Sequence, residues 1–480
     1  MDAAIIKGLE ECEGRSRELV RQGMLRELEP YMREWDRLLG EARRSGDDSL
    51  DLHYFTMVFE QINGALYQSV GQPGPMRESL LKGKQAADRC AALLMRADAE
   101  DTDDRELQIG LNCAEYLSNA GGILEASDME TAFAMAQKSA EIYDWLWPVL
   151  LPGSAVRAAE TQMKLFALYF VIGRQDEGQS CADKAAERYE ELFDRTQDMH
   201  YQLESWKTRI LAIIRDVSRI HQETETLSGY LERLERMEQE YAPETDGGIR
   251  AHIGTVEVMA LAALGTDAFQ SGDGERAERL LTRCCEKTEE ALKILEQYPQ
   301  SAESFDRDQV MNAYISGSMM LGAYYNQAGR YQEGESCYLR VLKNLDENPQ
   351  SVEAFMGQLA RVQIYTELGQ MTEGDPQGTK RDFYLTQAAD LSLDIIANNP
   401  SPQALRTAAL ALLGASEMKS AKGKAAEAAR YAGKGLELCS VLERTPGHGF
   451  SGNDLKELRR FFDKYASQKK GGFFSRLLGR

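Results

Sequence analysis

An internal repeat of nine residues is the feature that most constrains how this chain folds. Residues 173–181 read GRQDEGQSC and residues 329–337 read GRYQEGESC, so six of the nine positions are identical. An apolar segment with helical periodicity precedes each copy and another follows it. The leading glycine can adopt the left-handed conformation that ends a helix, and the second glycine lets the next helix pass closely. Each copy predicts a helical hairpin, and the repetition predicts that the chain uses this hairpin several times.

A second repeat marks the opposite ends of the hairpins. It occurs at residues 299–305 (PQSAESF) and 349–355 (PQSVEAF), with a weaker copy at 400–405 (PSPQAL). The leading prolines lie 50 and 51 residues apart, and each follows a helix that it cannot continue. Ser301 and Ser351 are suited to cap the helix that begins after the proline. The C-terminal half is therefore predicted to consist of helix pairs of about 50 residues.

Helical periodicity continues through most of the remaining sequence, and convincing strand alternation is absent. A long helix is predicted for residues 15–44, bent or broken near Pro30. Further helix pairs are predicted at 52–70 with 77–97, at 105–121 with 128–150 across Gly121-Gly122, and at 359–369 with 383–397. Residues 453–467 are predicted to form a last helix that caps the stack. The predicted class is all-α.

The repeated hairpin resembles the tetratricopeptide repeat. The clearest copy is Leu321-Gly322-x-x-Tyr325 followed by Tyr331, Gly334 and Tyr338. Weaker copies contain Leu264, Gly265, Ala268, Ala277 and Leu281, then Leu165, Tyr169, Gly178 and Ala182, and then Leu413, Gly414 and Ala426. The resemblance implies a right-handed superhelical stack of antiparallel helix pairs, an α-solenoid with a concave inner surface. The predicted domains are a helical region at 1–150 that continues the stack, the repeat domain at 151–467, and a tail at 468–480.

The resemblance also implies a function and its residues. Such stacks bind a protein or peptide in the concave groove. The first helix of each pair lines that groove, and in the repeat register its exposed positions are Met163, Ala167, Phe170, Ala262, Thr266, Phe269, Met319, Ala323 and Asn326. For each position, packing in the core is the competing interpretation. The expected function is a non-enzymatic scaffold or adaptor, with a peptide-sensing regulator as one alternative.

Charge and composition exclude several other classes. The net charge is −21, and residues 469–480 carry four cations and no acid, so the remaining body carries −25. Such a body repels phosphates, and no nucleic-acid partner is expected. The first fifteen residues lack the features of a secretory signal, and no run of about 18 apolar residues is present, so a cytoplasmic location is expected. The eight cysteines form no CxxC pair and are expected to be reduced. Of Cys284 and Cys285, one is expected to be packed and the other partly exposed.

Motifs that carry chemistry are missing. The sequence contains no GxxxxGK[ST] phosphate-binding loop and no HExxH zinc motif, and its five histidines are scattered. No cofactor, no metal site and no catalytic residue are therefore predicted. An enzyme whose site assembles from dispersed residues stays open as a further alternative.

The last twelve residues, KKGGFFSRLLGR, differ in character from the acidic body. As a helix, their four large apolar side chains would form one stripe about 140° wide, with two arginines beside it. This is the pattern of a short helix that lies in a membrane interface. The tail resembles the C-terminal membrane-targeting tails of the bacterial division-site ATPases of the Min system. The predicted membrane-contact residues are Lys469, Lys470, Phe473, Phe474, Arg476, Leu477, Leu478 and Arg480. Their expected partner is an anionic membrane surface; a tail without fixed structure, or one packed on another protein, is the competing interpretation.

Overall fold

A computed structural model describes residues 1–125, 127–241, 246–297, 307–347, 354–371, 378–398, 400–445 and 449–467. Within these ranges all regular secondary structure is helical. The chain divides into two compact units, Met1–Ala212 and Ile213–Arg480. The predicted domain boundary at residues 150 and 151 lies inside the first unit and stays a prediction.

The first unit is a series of helix pairs. Its helices are α1 (Ala3–Arg21), α2 (Glu29–Arg44), α3 (Leu50–Ser69), α4 (Pro73–Leu94), α5 (Asp104–Leu124), α6 (Met129–Leu146), α7 (Pro152–Val171) and α8 (Gln175–Thr196), followed by α9 (Met199–Ile214) across the boundary. Helices α1 to α8 pack as four successive pairs, and α1, α3 and α5 also contact one another in order. The predicted pairs at 52–70 with 77–97 and at 105–121 with 128–150 are confirmed.

The second unit continues with α10 (Val217–Gln222), α11 (Thr224–Glu240), α12 (Gly247–Gln270), α13 (Gly274–Gln297), α14 (Arg307–Gln327), α15 (Tyr331–Glu347), α16 (Ala354–Gln370), α17 (Thr379–Asn398), α18 (Pro402–Ala421), α19 (Ala425–Leu442) and α20 (Gly452–Ala466). From α12 to α19 these helices form four pairs, and α20 packs on α18 and α19. Both the all-α class built from antiparallel helix pairs and the last helix are confirmed. Because Leu455 and Phe462 are buried, α20 covers the apolar end of the last pair.

The glycines of the first repeat act as the sequence predicts. Gly173 and Gly329 follow α7 and α14 with φ angles of 76° and 70°, the left-handed conformation that glycine adopts without steric cost. A Cβ atom added to Gly178 would lie 3.2 Å from the Cβ of Tyr169, and one added to Gly334 would lie 3.1 Å from the carbonyl oxygen of Gly322. Each hairpin therefore needs one glycine for its turn and another for its close approach.

The second repeat is described only at its weaker copy. Ser301 and Ser351, the predicted caps, lie outside the described residues. In the copy at 400–405, the Ser401 hydroxyl accepts a hydrogen bond from the backbone N–H of Ala404 at 3.2 Å. Ser401 thus caps α18.

In several helix pairs, a small residue on the first helix packs against a large side chain sixteen positions later on the second helix. A Cβ atom on the glycine would lie 2.5–3.1 Å from the partner side chain in Gly64/Leu80, Gly265/Leu281, Gly322/Tyr338 and Gly369/Leu385. In α7 and α8 the sizes are exchanged, with Phe166 and Ala182 buried in one cluster. The spacing extends the repeat to α3 and α4, where motif comparison detected no copy.

Two predicted breaks are displaced from where the sequence placed them. Helix α5 continues through Gly121-Gly122 to Leu124, because Gly121 serves as a contact point and not as the turn: a Cβ there would lie 3.2 Å from the carbonyl oxygen of Ala132. The break between α1 and α2 occurs at Gly23, with φ of 71°, and Pro30 lies in the first turn of α2. Proline is tolerated in a first turn because that N–H has no helical partner.

The expectation for Cys284 and Cys285 was wrong, because both thiols are buried. Helix α13 packs against α12 on one side and against α14 on the other. Cys284 lies 3.6 Å from the carbonyl oxygen of Val258 on α12, whereas Cys285 lies 3.2 Å from the hydroxyl of Ser318 on α14. In a stack of pairs, a second helix has two buried faces, so consecutive residues can both be packed.

Candidate functional site

The nine predicted groove residues lie on the first helices of three pairs. Three are on α7 in the first unit, three on α12 and three on α14 in the second. All nine are partly exposed, neither fully buried nor fully in solvent. Helices α12 and α14 contact each other, so the six residues of the second unit occupy neighbouring helices.

Some of these side chains also contribute to packing. The rings of Phe166 and Phe170 meet edge to face with centroids 5.2 Å apart, and Met163 packs on the same cluster. Met319 packs against the core shared by α14, α15 and α16. The Thr266 hydroxyl donates to the carbonyl oxygen of Ala262 at 2.8 Å. The assignment of all nine to a binding groove stays a prediction.

The second unit contains a cavity of about 620 Å³ that includes one of the predicted groove residues, Met319, in its lining. Its lining comes from Met319 on α14, from Gln363, Thr366, Glu367 and Gln370 on α16, from Arg381 and Leu385 on α17, and from Gln403, Arg406, Thr407, Leu410, Leu413, Gly414 and Glu417 on α18. The steps of three and four residues on α16 and α18 mean that each helix presents one face to the cavity. We call this cavity the α16–α18 groove.

Only Met319 belongs both to the predicted set and to the lining of the α16–α18 groove. The sequence predicted α16 and α17 as the pair 359–369 with 383–397, but it assigned no groove residue to α16 because Leu368-Gly369 was not identified as a repeat copy. The sixteen-residue spacing between Gly369 and Leu385 could have revealed this repeat copy. Thr366 and Gln370 stand at the same offsets from Gly369 as Met319 and Ala323 do from Gly322, and both line the groove.

Glu367 is the charged group of the groove that has neither an ion pair nor a hydrogen bond among the described residues. Burial raises the pKa of its carboxyl above the ordinary value, and burial is the only cause of the shift. Over the ranges that the structure describes, no cation pairs with this carboxylate and no donor hydrogen-bonds to it. A partly buried carboxylate without a partner is less favourable in the ionised form than one in water. A ligand that brings a cation or N–H donors to this point would relieve that cost.

The other charges of the groove have partners. Glu417 accepts a hydrogen bond from the Tyr465 hydroxyl of α20 at 3.3 Å. The Arg406 guanidinium lies 5.4 Å from the ring centroid of Phe450, within cation–π distance. Arg381 also has an interaction partner. The groove thus combines two acids that form no ion pair with a described residue, two arginines, and amide, hydroxyl and leucine side chains.

The raised pKa of Glu367 predicts that Glu367→Gln increases the free energy of unfolding, and that this increase depends on pH. Since the folded-state pKa is raised above 4.5, the wild-type free energy of unfolding falls as the pH rises through the window just above 4.5. The glutamine variant lacks this loss, so it should be the more stable protein at pH 7, with the difference vanishing by pH 4. Urea unfolding at both values measures it. Glu286→Gln, which removes an exposed acid from α13, controls for the change in net charge. Lower stability of Glu367→Gln at pH 7 would show that the carboxylate has a partner.

Two of the dispersed histidines lie within hydrogen-bond distance of an aspartate: His53 lies 2.7 Å from Asp48, and His221 faces the buried Asp267. Nδ1 of His221 lies 3.0 Å from Oδ1 of Asp267, and the Thr224 hydroxyl donates to Oδ2 of the same carboxylate at 3.2 Å. The Asp267 side chain is almost fully buried, whereas the His221 ring is 77% exposed. No hydrogen bond joins the His221 ring to a serine or cysteine in the described part of the chain. The same part contains no cluster of three or more metal-binding side chains, and each of its helices is too short or too polar to span a lipid bilayer.

Comparison with known proteins shows similarity in fold. Neither a protein-family model nor a curated protein sequence matches the chain. Similar solved structures include a Rap protein complexed with competence and sporulation factor, 14% identical over 92% of this chain and 99% of that one, with a TM-score of 0.39. Aspartyl phosphate phosphatase F from Bacillus subtilis is 11% identical over 94% and 97%, with a TM-score of 0.42. A tetratricopeptide repeat protein from Parabacteroides merdae is 14% identical over 73% and 98%, with a TM-score of 0.29. Similarity at this level carries no information about binding or activity.

Proposed function

We propose that this protein is a non-enzymatic scaffold or adaptor of tetratricopeptide-like helix pairs, and that it binds a protein or peptide segment in the α16–α18 groove. The observation that carries the proposal is Glu367, a partly buried carboxylate on the groove wall that forms no ion pair and no hydrogen bond with a described residue. Such a group costs stability in the free protein, so its place at the wall of a cavity supports a role in binding.

The remaining lining suits a peptide. The side-chain amides of Gln363, Gln370 and Gln403 can each donate and accept, as required to hold peptide N–H and C=O groups. Leu410 is 45% exposed and would cover apolar side chains of a bound segment. The six predicted positions on α12 and α14 extend the proposed contact surface along the neighbouring first helices.

Two leucine variants test this proposal. Leu410 faces the groove and Leu339 lies on α15 away from it, and their exposures are similar at 45% and 42%. Peptides enriched from a displayed random library on the full chain are expected to bind Leu410→Arg at least tenfold more weakly, because the new charge occupies the apolar wall. Leu339→Arg should bind them normally. Fluorescence anisotropy with labelled peptides measures both affinities. Equal losses in the two variants, or enriched peptides that bind both normally, would rule out the groove as the binding site.

Two of the positions read from the repeat register provide a further check. Phe269→Glu and Asn326→Glu are expected to weaken peptide binding while leaving the melting temperature within a few degrees of wild type. A collapse of the melting temperature would place these side chains in the core and show that the register is wrong.

We also propose that residues 469–480, which lie outside the described residues, attach the protein weakly to the inner surface of a membrane. Four large apolar side chains contribute about 6–12 kcal/mol if fully buried. Four cations near anionic lipid add about 1 kcal/mol each. Ordering eight residues costs about 8–16 kcal/mol. The terms nearly cancel, so attachment should be reversible and should weaken with salt.

Co-sedimentation with phosphatidylglycerol vesicles tests the attachment. The full chain is expected to pellet at low salt and to remain in solution at high salt. A chain that ends at Gln468 should remain in solution at both. If both chains stay in solution at low salt, or if both pellet equally, the tail is not a membrane anchor.

A further inference from the structure

The end of α20 is fixed beside the α16–α18 groove. Leu455, Leu458 and Phe462 are buried against α18 and α19 and hold the helix in place. At its last turn, the Tyr465 hydroxyl donates to Glu417, which lines the groove. The chain beyond residue 467 therefore starts from a point next to the groove wall.

The segment that follows is long enough to cover the groove. The lining of α18 extends from Gln403 to Glu417, about 21 Å at 1.5 Å per residue. The thirteen residues from 468 to 480 span up to about 43 Å when extended. A segment that leaves α20 near Glu417 can run along α18 to its other end with length to spare.

The chemistry of the segment complements that of the groove. Residues 469–480 carry four cations and no acid, whereas the body carries a charge of −25. Glu367 has no cation among the described residues, and a lysine or arginine of the tail would supply one. Phe473 and Leu477 can cover the exposed side of Leu410, which water otherwise contacts. Arg406 and Arg381 also line the groove and equal its two acids in number, but Arg406 lies over the Phe450 ring and Arg381 has an interaction of its own.

We propose that residues 469–480 dock in the α16–α18 groove of their own chain, with a tail cation against Glu367 and the apolar tail residues against Leu410. The inference rests on the proposed function of this groove, and it adds a regulation of the same site: the docked tail competes with the partner segment. Because the tail is tethered, its effective concentration at the groove is in the millimolar range. A contact too weak to hold a free peptide is thus enough to occupy the site.

Site-specific photocrosslinking in the full chain tests the docking. Benzoylphenylalanine placed at position 473 is irradiated in dilute protein, and the products are mapped by mass spectrometry. The expected product is a crosslink within one molecule to Met319 or to peptides of α16 and α18. Glu367→Gln should weaken docking about tenfold, the loss of one charge-assisted hydrogen bond, and lower the yield accordingly. Glu286→Gln, which removes an acid outside the groove, should leave the yield unchanged.

Other outcomes overturn the inference. Crosslinks only between molecules, or only to elements outside the groove, mean that the tail does not dock there. If neither Glu367→Gln nor Leu410→Arg changes the crosslinking yield, the tail does not dock in the groove. Circular dichroism of each variant verifies that it is folded. Because the crosslinking experiment requires no binding partner, it tests tail docking independently of the proposed scaffold function. If library peptides bind in a way that depends on Leu410 but no tail crosslink forms, only the tail docking is contradicted. If the tail crosslinks to the groove but no peptides are enriched, only the scaffold function is contradicted.

Discussion

Tyr338→Ala is expected to destabilise the second unit by about 3–5 kcal/mol, the usual cost of removing a buried aromatic side chain. The Tyr338 side chain is fully buried, and its ring closes over Gly322, where a Cβ atom would lie 2.7 Å from the ring. Its hydroxyl points to the carbonyl oxygen of Met319 at 3.5 Å. Removal leaves a cavity between α14 and α15 that neighbouring side chains cannot fill. Denaturant unfolding at neutral pH measures the loss.

A double variant shows whether size complementarity is the cause. Gly322→Phe alone should cost about 1–3 kcal/mol or more, because the new ring has no space beneath Tyr338. Combined with Tyr338→Ala, it copies the arrangement of Phe166 and Ala182 in α7 and α8. The double variant should recover about 1–3 kcal/mol relative to the sum of the single losses. Strict additivity would mean that the two positions do not form a lock.

Gly435→Ala is expected to release α20 from the end of the stack. A Cβ atom at Gly435 would lie 2.3 Å from Cε1 and 2.4 Å from Cζ of the fully buried Phe462 ring. Overpacking of this kind costs about 1–3 kcal/mol, and here the ring can escape only if the whole helix moves. Limited proteolysis between α19 and α20 should accelerate, and the free energy of unfolding should fall.

Gly433→Ala is the matched control. Gly433 lies on the same helix two residues earlier, and a Cβ atom there would have no neighbour within 4 Å. Alanine is the better helix former by about 1 kcal/mol, so this variant should be as stable as wild type or more so. The same chemical change therefore has opposite expected signs at two nearby positions. Equal effects at both would mean that Phe462 does not pack on Gly435.

The hairpins could be predicted from the sequence because their signals are local. The left-handed glycines at 173 and 329 act within a single turn, and the apolar residues repeat at helical spacing along each segment. The same reasoning failed at Gly121, which is equally a glycine near a helix end. It serves there as a contact with α6, because what a glycine does depends on the helix opposite.

The candidate site shows the same difference between local sequence signals and contacts made between helices. The sequence placed groove residues on α7, α12 and α14 by counting from a recognised motif, and only Met319 lines the cavity in the second unit. Helix α16 was predicted as part of a helix pair without its repeat register, although Gly369 and Leu385 stand sixteen residues apart as in the other glycine pairs. A spacing rule learned from the structure would have found it.

By itself, the sequence determined that this chain is all-α, that it folds as successive helix pairs, and that a basic segment follows an acidic body. Each of these follows from backbone preferences, periodicity and charge within short stretches of chain. The tertiary structure alone decided that Glu367 lies partly buried in a cavity wall, that Cys284 and Cys285 are both buried, and that Tyr465 places the end of α20 at Glu417. Burial and electrostatic cost depend on which helices pack together, and residues distant in sequence supply those contacts.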